Sequence, residues 1–445
     1  MFVLKEILVL GAGRVAKPCV QYLLRNTPYH VTVVDIDSKN IEAVTEKHER
    51  STLLVGDASK ETREIFKKVC PNVVINLLPA PLMSPIAEVC IDMGIDYVNP
   101  SYIKDDMKLL DGPAKEKNVL LLCELGLDPG IDHMSAAKTI RDIHEQGGKV
   151  ESFWSCCGAL PALKDNTNPF GYKLSWAPSS LIGASKRTAR ILKEGEIFTF
   201  PDGETYRHPH IVNVESLGWF EEYANADSLP YVKLYGMEEV KNVYRGTFRY
   251  IGWSETIAKM NELGLFEEVE IDLKGLTYRE FTAKLAGANE GDNPEEALLR
   301  FLEREPFSSV ALKLKWLGLL DDREIPFDKG SPRDVVASLY AEKLVYTEGE
   351  QDLVVMEHRY IVQYPKTGRR VKIKSTLIDH GEVGVETSIS RTTGIPPAIG
   401  ATLILDGRVS AKGVQAPVLP EVYKPCLDLL EKEGIHFTER MEEID

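Results

Sequence analysis

The stretch Glu6–Pro18, EILVLGAGRVAKP, decides the fold. It opens with a short apolar run bounded by glycine, the pattern of a strand buried on both faces of a parallel sheet. Gly11 and Gly13 follow at once, with Ala16 where a third small residue belongs, giving the GxGxxA form of a dinucleotide fingerprint. Gly11 permits a tight turn, Gly13 lets a pyrophosphate approach the backbone, and Ala16 lets the next helix lie close on the strand, its N-terminus facing the anion. Pro18 falls early enough in that helix to be tolerated.

Working outward, HVTVVDID, STLLVGD, VVINLLP, DYVNPSY and NVLLLCE read as further strands, with helical patterns between them. Such alternation indicates a parallel sheet with helices on both faces. The second strand ends at Asp35, 24 positions after Gly11, near the roughly 20 expected of the acid that binds ribose hydroxyls. A carboxylate there repels a 2′-phosphate, and DIDSKN supplies no Arg, so the expected cofactor is NAD, with NADP as the alternative. Asp57, after the third strand, is open to two readings, reaching the adenine side or sitting on the surface.

After Lys149 the pattern changes. VESFWSCC, EIFTF, NVYRGTFRYIG, LVVMEHRYIVQY and RRVKIKSTLIDHG read as strands, the last two joined by a PKTG turn into an antiparallel hairpin. A helical block, roughly 254–344, interrupts them, and PPAIGATLILDG and VYKPCLDLLEKEG read as helices again. A chain of 445 residues is too long for one core. The expected fold class is α/β: a Rossmann dinucleotide-binding domain (1–124 and 394–445), a mixed α/β substrate and dimerisation domain (125–253 and 346–393), and an inserted all-α domain (254–345).

The net charge of −15 comes without a basic stripe, which excludes a nucleic-acid partner. No apolar run approaches the roughly 18 residues of a membrane span. Seven scattered cysteines read as reduced thiols, and no basic leader precedes the first strand, so a cytoplasmic location is expected. There is no CxxC or HExxH, and His208-Pro209-His210 finds no third ligand, so no metal is expected. Trp176 and Trp219 read as packing residues.

Two stretches carry the chemistry. In VLLLCELGLDPGIDH, Val119–His133, an apolar strand stops at Glu124. Asp128 then suits a helix N-cap and Pro129 the first helical position. That places Asp128 at a strand's carboxyl end, where open α/β sheets bind ligands. His133, five residues on, turns to another helical face and reads as structural. In YRGTFRY, Arg245 and Arg249 are four apart, so a strand puts them on one face with Thr247 between. They read either as a clamp for a dicarboxylate or as an exposed basic face. Lys173 is a further candidate for a carboxylate partner, and Ser175 for a cofactor contact.

GAGRVAKP, VINLLP, NPSYI, ELGLDPGIDHM, CCGALPA, NPFGYKLSW, YRGTFRY and LDGRVSAKG, in this order along almost the whole chain, resemble the saccharopine dehydrogenase (L-glutamate-forming), or saccharopine reductase, family. The resemblance implies hydride transfer between a nicotinamide and the carbon beside a secondary amine, in a homodimer acting on an amino-acid substrate. It implies catalytic roles among Asp128, Tyr102 and Cys157, and substrate contacts at Ser101, Tyr102, Asp128, Arg245, Thr247, Phe248 and Arg249. Cofactor contacts are expected from Gly11, Ala12, Gly13, Arg14, Val15, Asp35, Asp57, Ala58, Leu77, Pro100, Ser101, Leu127, Asp128, Pro129 and Ser175. One departure stands out: saccharopine-specific members carry an Arg where this chain has Ala226. Two other readings therefore stand beside the first, reductive amination of a related substrate such as a carboxylated polyamine, and a non-catalytic nucleotide-binding protein.

Overall fold

A computed structural model describes residues 5–175, 178–289 and 291–445. Trp176 lies outside the described residues. The first sheet has seven strands, all parallel, in the order Gly413–Gln415, Leu120–Leu122, Asp96–Val98, Val73–Asn76, Glu6–Leu10, His30–Asp35, Ser51–Val55. Ile7, Leu8, Val9 and Leu10 have no exposed surface, as expected of a strand covered on both faces. The order reverses about Glu6–Leu10, so the loops that follow Leu10 and Asn76 diverge and leave a crevice at the carboxyl edge.

The second sheet has nine strands, built on a path His210–Val214, Gly218–Ala224, Asn242–Arg249, Lys149–Pro161, Asp352–Tyr364, Arg369–His380, Phe437–Glu443. The hairpin Ala189–Lys193 and Glu196–Phe200 joins it from the side. Asn242–Arg249 and Lys149–Pro161 run parallel and the other pairs antiparallel, and Tyr364 opposite Arg369 closes the expected PKTG hairpin. Helices from Trp253–Glu262 to Pro332–Lys343 form the inserted block, whose apolar core continues into one face of the second sheet.

Gly413–Gln415 is an edge strand of the first sheet where no strand was expected, and two further elements differ from the sequence expectation. The helix read from Pro396 begins at Ser388 and runs through Pro396 and Pro397 to Leu405. Thr387 caps it, and the Asp352 carboxylate accepts from the Ser388 and Ile389 amides (2.7 and 2.9 Å), which holds the first turn despite the two N–H groups the prolines lack. The last segment also leaves the nucleotide domain, since Phe437–Glu443 pairs with Arg369–His380 as the edge of the second sheet.

Candidate active site

The loops at the carboxyl edge of the parallel sheet bring most of the expected cofactor contacts together. Gly11 adopts φ +95°, where a Cβ would crowd the Leu77 carbonyl and Leu78 side chain at 3.2–3.3 Å. Above Gly13 a Cβ would meet nothing within 4 Å, so the loop is bare where a phosphate would approach. The Ala16–Asn26 helix starts behind it with no acidic residue in its first turn, and Ala16 is fully buried. Asp35 receives the Ala12 amide (2.8 Å) and the Asp37 amide (3.0 Å), which fixes one carboxylate beside the loop. Glycine corner, helix N-terminus and fixed acid together fit a dinucleotide. Leu77 bonds back to the Leu10 carbonyl, Pro100 and Ser101 follow Asp96–Val98, and Leu127 and Pro129 follow Leu120–Leu122 on the same edge. Arg14 reaches across to the Leu174 carbonyl (3.5 Å), which sets Ser175, whose buried hydroxyl has no hydrogen-bond partner, near the loop. Asp57 is committed locally: it accepts from the Ser59 amide and hydroxyl and pairs with Lys60, the geometry of a turn. Ala58 beside it is buried.

The corner after Leu120–Leu122 is tighter than expected. Asp128–Pro129 is a cis peptide, and Gly130, at φ +146°, is so close to Gly126 that a Cβ would overlap its backbone. The Ile131–Glu145 helix is capped at Gly130, whose amide donates to Asp132 Oδ1 (2.6 Å). Asp128 and Pro129 therefore precede the cap and are not the N-cap and first helical residue. Freed from capping, Asp128 Oδ1 accepts from the Tyr102 hydroxyl (2.6 Å) and from Arg245 Nη2 (2.5 Å). Its Oδ2 takes no hydrogen bond from the described residues and is not closed off from solvent. Loss of solvent around the Tyr102 hydroxyl, and then the Asp128 carboxylate, push the phenol well above its ordinary pKa. It is a donor at neutral pH.

Arg245 is anchored on every side. Besides Asp128, Nη2 donates to Asp132 Oδ2 (2.7 Å), Nη1 donates to the Tyr231 hydroxyl, and the guanidinium lies 4.2 Å from the Tyr231 ring centroid. His133 stacks on the other side of this group, at 5.5 Å from Tyr231. Its Nδ1 is 2.8 Å from the Tyr235 hydroxyl, and Nε2 is 2.9 Å from Glu124 Oε2, a charge contact short of good hydrogen-bond alignment. The other Glu124 oxygen takes the Ile103 amide (2.7 Å), next to Tyr102. His133 has no exposed surface and is held by these contacts within the protein. Asp132, Glu124 and Tyr231 were not expected at the site, and the only sequence sign of Asp132 was its place across Gly130 from Asp128.

Arg245, Thr247 and Arg249 do share one face, and Cys157 joins them because it pairs with Thr247 across the parallel register. Thr247 is partly exposed there, while Arg249 is buried. The Arg249 guanidinium lies 4.8 Å from the Tyr172 ring centroid and 5.4 Å from that of Trp253. Its Nη1 donates to the Phe248 carbonyl (2.8 Å), its Nε has no hydrogen-bond partner, and it makes no ion pair with the described residues. Burial pushes the Cys157 thiol far up, so it is protonated at neutral pH.

Three expected contacts come out differently. The Phe248 side chain falls on the opposite face, fully buried against Phe220 and the Gly158 backbone, because strand side chains alternate. Lys173 is already paired with Glu350 and donates to Thr167 (2.8 Å), so it holds no free charge. Trp219 is 61 % exposed at the start of its strand and packs no core. Ala226 adopts φ +54°. Its carbonyl takes the Arg190 amide (3.0 Å), and Arg190 itself is paired with Asp227. Among the described residues no His, Cys, Asp and Glu cluster could hold a metal.

Two family models match, "Saccharopine dehydrogenase NADP binding domain" over residues 7–122 and "Saccharopine dehydrogenase C-terminal domain" over residues 126–435. The chain is 31 % identical over 98 % of its length to saccharopine dehydrogenase [NADP(+), L-glutamate-forming] of Saccharomyces cerevisiae, covering 99 % of that protein. It is 32 % identical to the mitochondrial alpha-aminoadipic semialdehyde synthase of Bos taurus, covering 98 % of this chain and 47 % of that protein. The chain thus spans about half the length of the semialdehyde synthases it matches and the full length of the fungal dehydrogenases. The solved apo saccharopine dehydrogenase (L-Glu forming) from Saccharomyces cerevisiae superposes with a TM-score of 0.89 at 30 % identity, covering 98 % of this chain and 100 % of that one. On these matches, and on an architecture that agrees with them across both sheets, the chain belongs to the saccharopine dehydrogenase family.

Proposed function

We propose that the protein is a nicotinamide-dependent oxidoreductase acting on the CH–NH bond of saccharopine. It hydrolyses the oxidised product to glutamate and 2-aminoadipate 6-semialdehyde, or joins these two in the reverse direction, in lysine metabolism. The observation that carries this reading is a glycine loop and a carboxylate with one oxygen left open at the carboxyl edge of the first sheet, together with, on the second-sheet strand that also bears Arg245, a buried arginine without an acidic partner among the described residues. Saccharopine carries carboxylates and amines: the arginine answers a carboxylate, the open carboxylate answers an amine, and the glycine loop answers the nucleotide that exchanges the hydride.

Hydride leaves readily only from carbon beside a neutral amine, so an ammonium proton has to be removed first. Asp128 Oδ2 takes it, the N–H bond breaking as the O–H bond forms, while Tyr102 and Arg245 hold Oδ1. The nicotinamide, when bound, supplies the hydride acceptor or donor. Arg249, clasped by Tyr172 and Trp253, binds a substrate carboxylate, and Cys157 and Thr247 form the wall between the two arginines. Asp35 favours NAD, with NADP, the nucleotide named in the family model, as the alternative. A homodimer is part of the proposal, supported by the exposed apolar side chains Ile197, Phe198, Ile211 and Trp219 on the strands Glu196–Phe200, His210–Val214 and Gly218–Ala224. So is a cytoplasmic location, supported by seven free cysteines.

Ala226 favours a second reading, reductive amination of a related substrate such as a carboxylated polyamine, because the neighbouring Arg190 is already spent on Asp227. A non-catalytic nucleotide-binding role leaves the open Asp128 oxygen and the unpaired Arg249 without a purpose. The deciding assay follows NADH and NADPH oxidation with glutamate plus 2-aminoadipate 6-semialdehyde. Turnover with one nucleotide supports the saccharopine reading and assigns the cofactor. Turnover only with a diamine and aspartate semialdehyde replaces it with the second reading.

A further inference from the structure

Asp128 and Asp132 both contact the same nitrogen of Arg245, yet they differ in everything else. Asp132 is 1 % exposed, and its two oxygens are committed, Oδ1 to the Gly130 amide and Oδ2 to Arg245. Asp128 is partly exposed and keeps Oδ2 open. A buried carboxylate sealed from solvent and substrate, at the end of a guanidinium that serves a reactive carboxylate, does no chemistry of its own. Removing it, however, changes the charge its neighbour feels.

We propose that Asp132 is a positioning residue that keeps Asp128 basic: by sharing Arg245 it fixes the guanidinium and draws off part of its positive field. A one-to-one Arg–Asp pair would hold Asp128 as a strongly stabilised carboxylate, a poor acceptor for an ammonium proton. With two carboxylates on one guanidinium, the trio carries a net negative charge, and Asp128 Oδ2 is its one carboxylate oxygen with no hydrogen bond from the described residues. The other groups facing the trio leave this balance standing. Tyr102, from the loop after Asp96–Val98, stays neutral with its hydroxyl held on the Asp128 carboxylate, and Tyr231 and Tyr235, from the segment at Pro230–Leu234, stay neutral because burial raises their phenols. Cys157 and His358 face it from the second sheet; burial keeps the thiol protonated and the imidazole uncharged. Arg249 lies beyond Cys157 on the same face. Glu124 and His133 form their own pair behind Tyr231, in which Asp132 and Glu124 outweigh burial and favour the charged ring.

The proposal rests on Asp128 as the proton acceptor in the reading above. The test is built so that the two can fail separately. Asp132→Asn keeps the shape and removes the charge, so the full field of Arg245 falls on Asp128. The acid limb of the kcat/KM profile is expected to move about one pH unit lower and kcat at neutral pH to fall about tenfold or more, with nucleotide Kd unchanged. Asp132→Glu restores the charge and is expected to recover part of both. A purely structural role predicts the reverse ranking, with the larger Glu worse than Asn and the acid limb unmoved, and that result overturns the proposal. If Asp132→Asn does not fold, the pair Asp132→Asn/Arg245→Gln, which removes both buried charges together, takes its place, with the acid limb expected above that of wild type. If the wild-type protein turns over no substrate, the same comparison is read from the 13Cγ carboxyl signal of Asp128 across pH. A shift to lower pH in Asp132→Asn supports the charge-sharing role without the saccharopine reading, and an unmoved signal overturns it.

Discussion

Arg249 shows how far a single residue can specify a ligand. A buried guanidinium needs compensation, and here two aromatic faces and one carbonyl supply it in place of an acid. The charge has no acidic partner among the described residues, and in the proposed function it serves a substrate carboxylate. Lysine in its place would carry the same charge but could neither spread over the adjoining rings of Tyr172 and Trp253 nor present a fork to a carboxylate. Arg249→Lys is therefore expected to raise KM for saccharopine about 10- to 100-fold, the equivalent of losing a charge-assisted hydrogen bond worth ~1.5–3 kcal/mol, while KM for the nucleotide stays put. Equal effects on both would mean the residue supports the domain and not the substrate. Arg249 was legible in YRGTFRY because spacing alone places it on the face of Arg245 and Thr247. That same alternation should have excluded Phe248, one position away. What spacing could not reveal is that Arg245 is claimed by Asp132, a partner 113 residues distant, while Arg249 is not.

At the scale of elements, the Ser388–Leu405 helix ties the two sheets together. It starts on Asp352 of the second sheet and lies across the glycine loop of the first, where a Cβ on Gly394 would stand 2.2 Å from the Val15 carbonyl. That atom is backbone, so one of the two elements has to move. Gly394→Ala is expected to lower stability by ~1–3 kcal/mol, as overpacking does, and to weaken nucleotide binding, because Val15 belongs to the loop that receives the phosphates. Denaturation and nucleotide titration of the same variant separate the alternatives: reduced stability with unchanged affinity would show that the helix yields and the loop does not. Six strands of the nucleotide sheet were readable because they are short and mostly apolar between turn residues, whereas the edge strand Gly413–Gln415 is too short and polar to show a pattern. The start of this helix was not, because Pro396 and Pro397 mimic an N-terminus, and only the distant Asp352 reveals the real one. The terminal strand Phe437–Glu443 was missed for another reason. Its residues are almost all exposed, and it owes its conformation to backbone pairing with Arg369–His380, which leaves no alternation to read.

For the whole molecule, the packing of the Ile131–Glu145 helix on the second sheet sets a limit on acid tolerance through His358. Its ring has no exposed surface. It sits between Ser135 of the Ile131–Glu145 helix (Nε2 to Oγ 2.7 Å) and Phe437 of the terminal strand (centroids 5.5 Å), with Phe153 beside it. Burial, and then the positive charge of Arg245, lower its pKa to about 3 from the ordinary 6.5. The folded protein therefore binds a proton at His358 less readily than the unfolded chain does, so the stability this site contributes is complete above pH 6.5 and is lost as pH falls toward 3. Over that window the slope is about 1.4 kcal/mol per pH unit. His133 has the opposite sign, because its raised pKa adds stability below 6.5 that is lost as pH rises. Comparing wild type with His358→Gln cancels that contribution, since both proteins keep His133. Urea denaturation at pH 7, 6, 5 and 4 is expected to show the variant less stable at pH 7 and gaining on wild type by roughly 1 kcal/mol or more with each unit below 6. Parallel curves across that range would mean the ring is protonated in the folded protein, and the contact between helix, sheet and terminal strand would then have to open in acid to admit the charge.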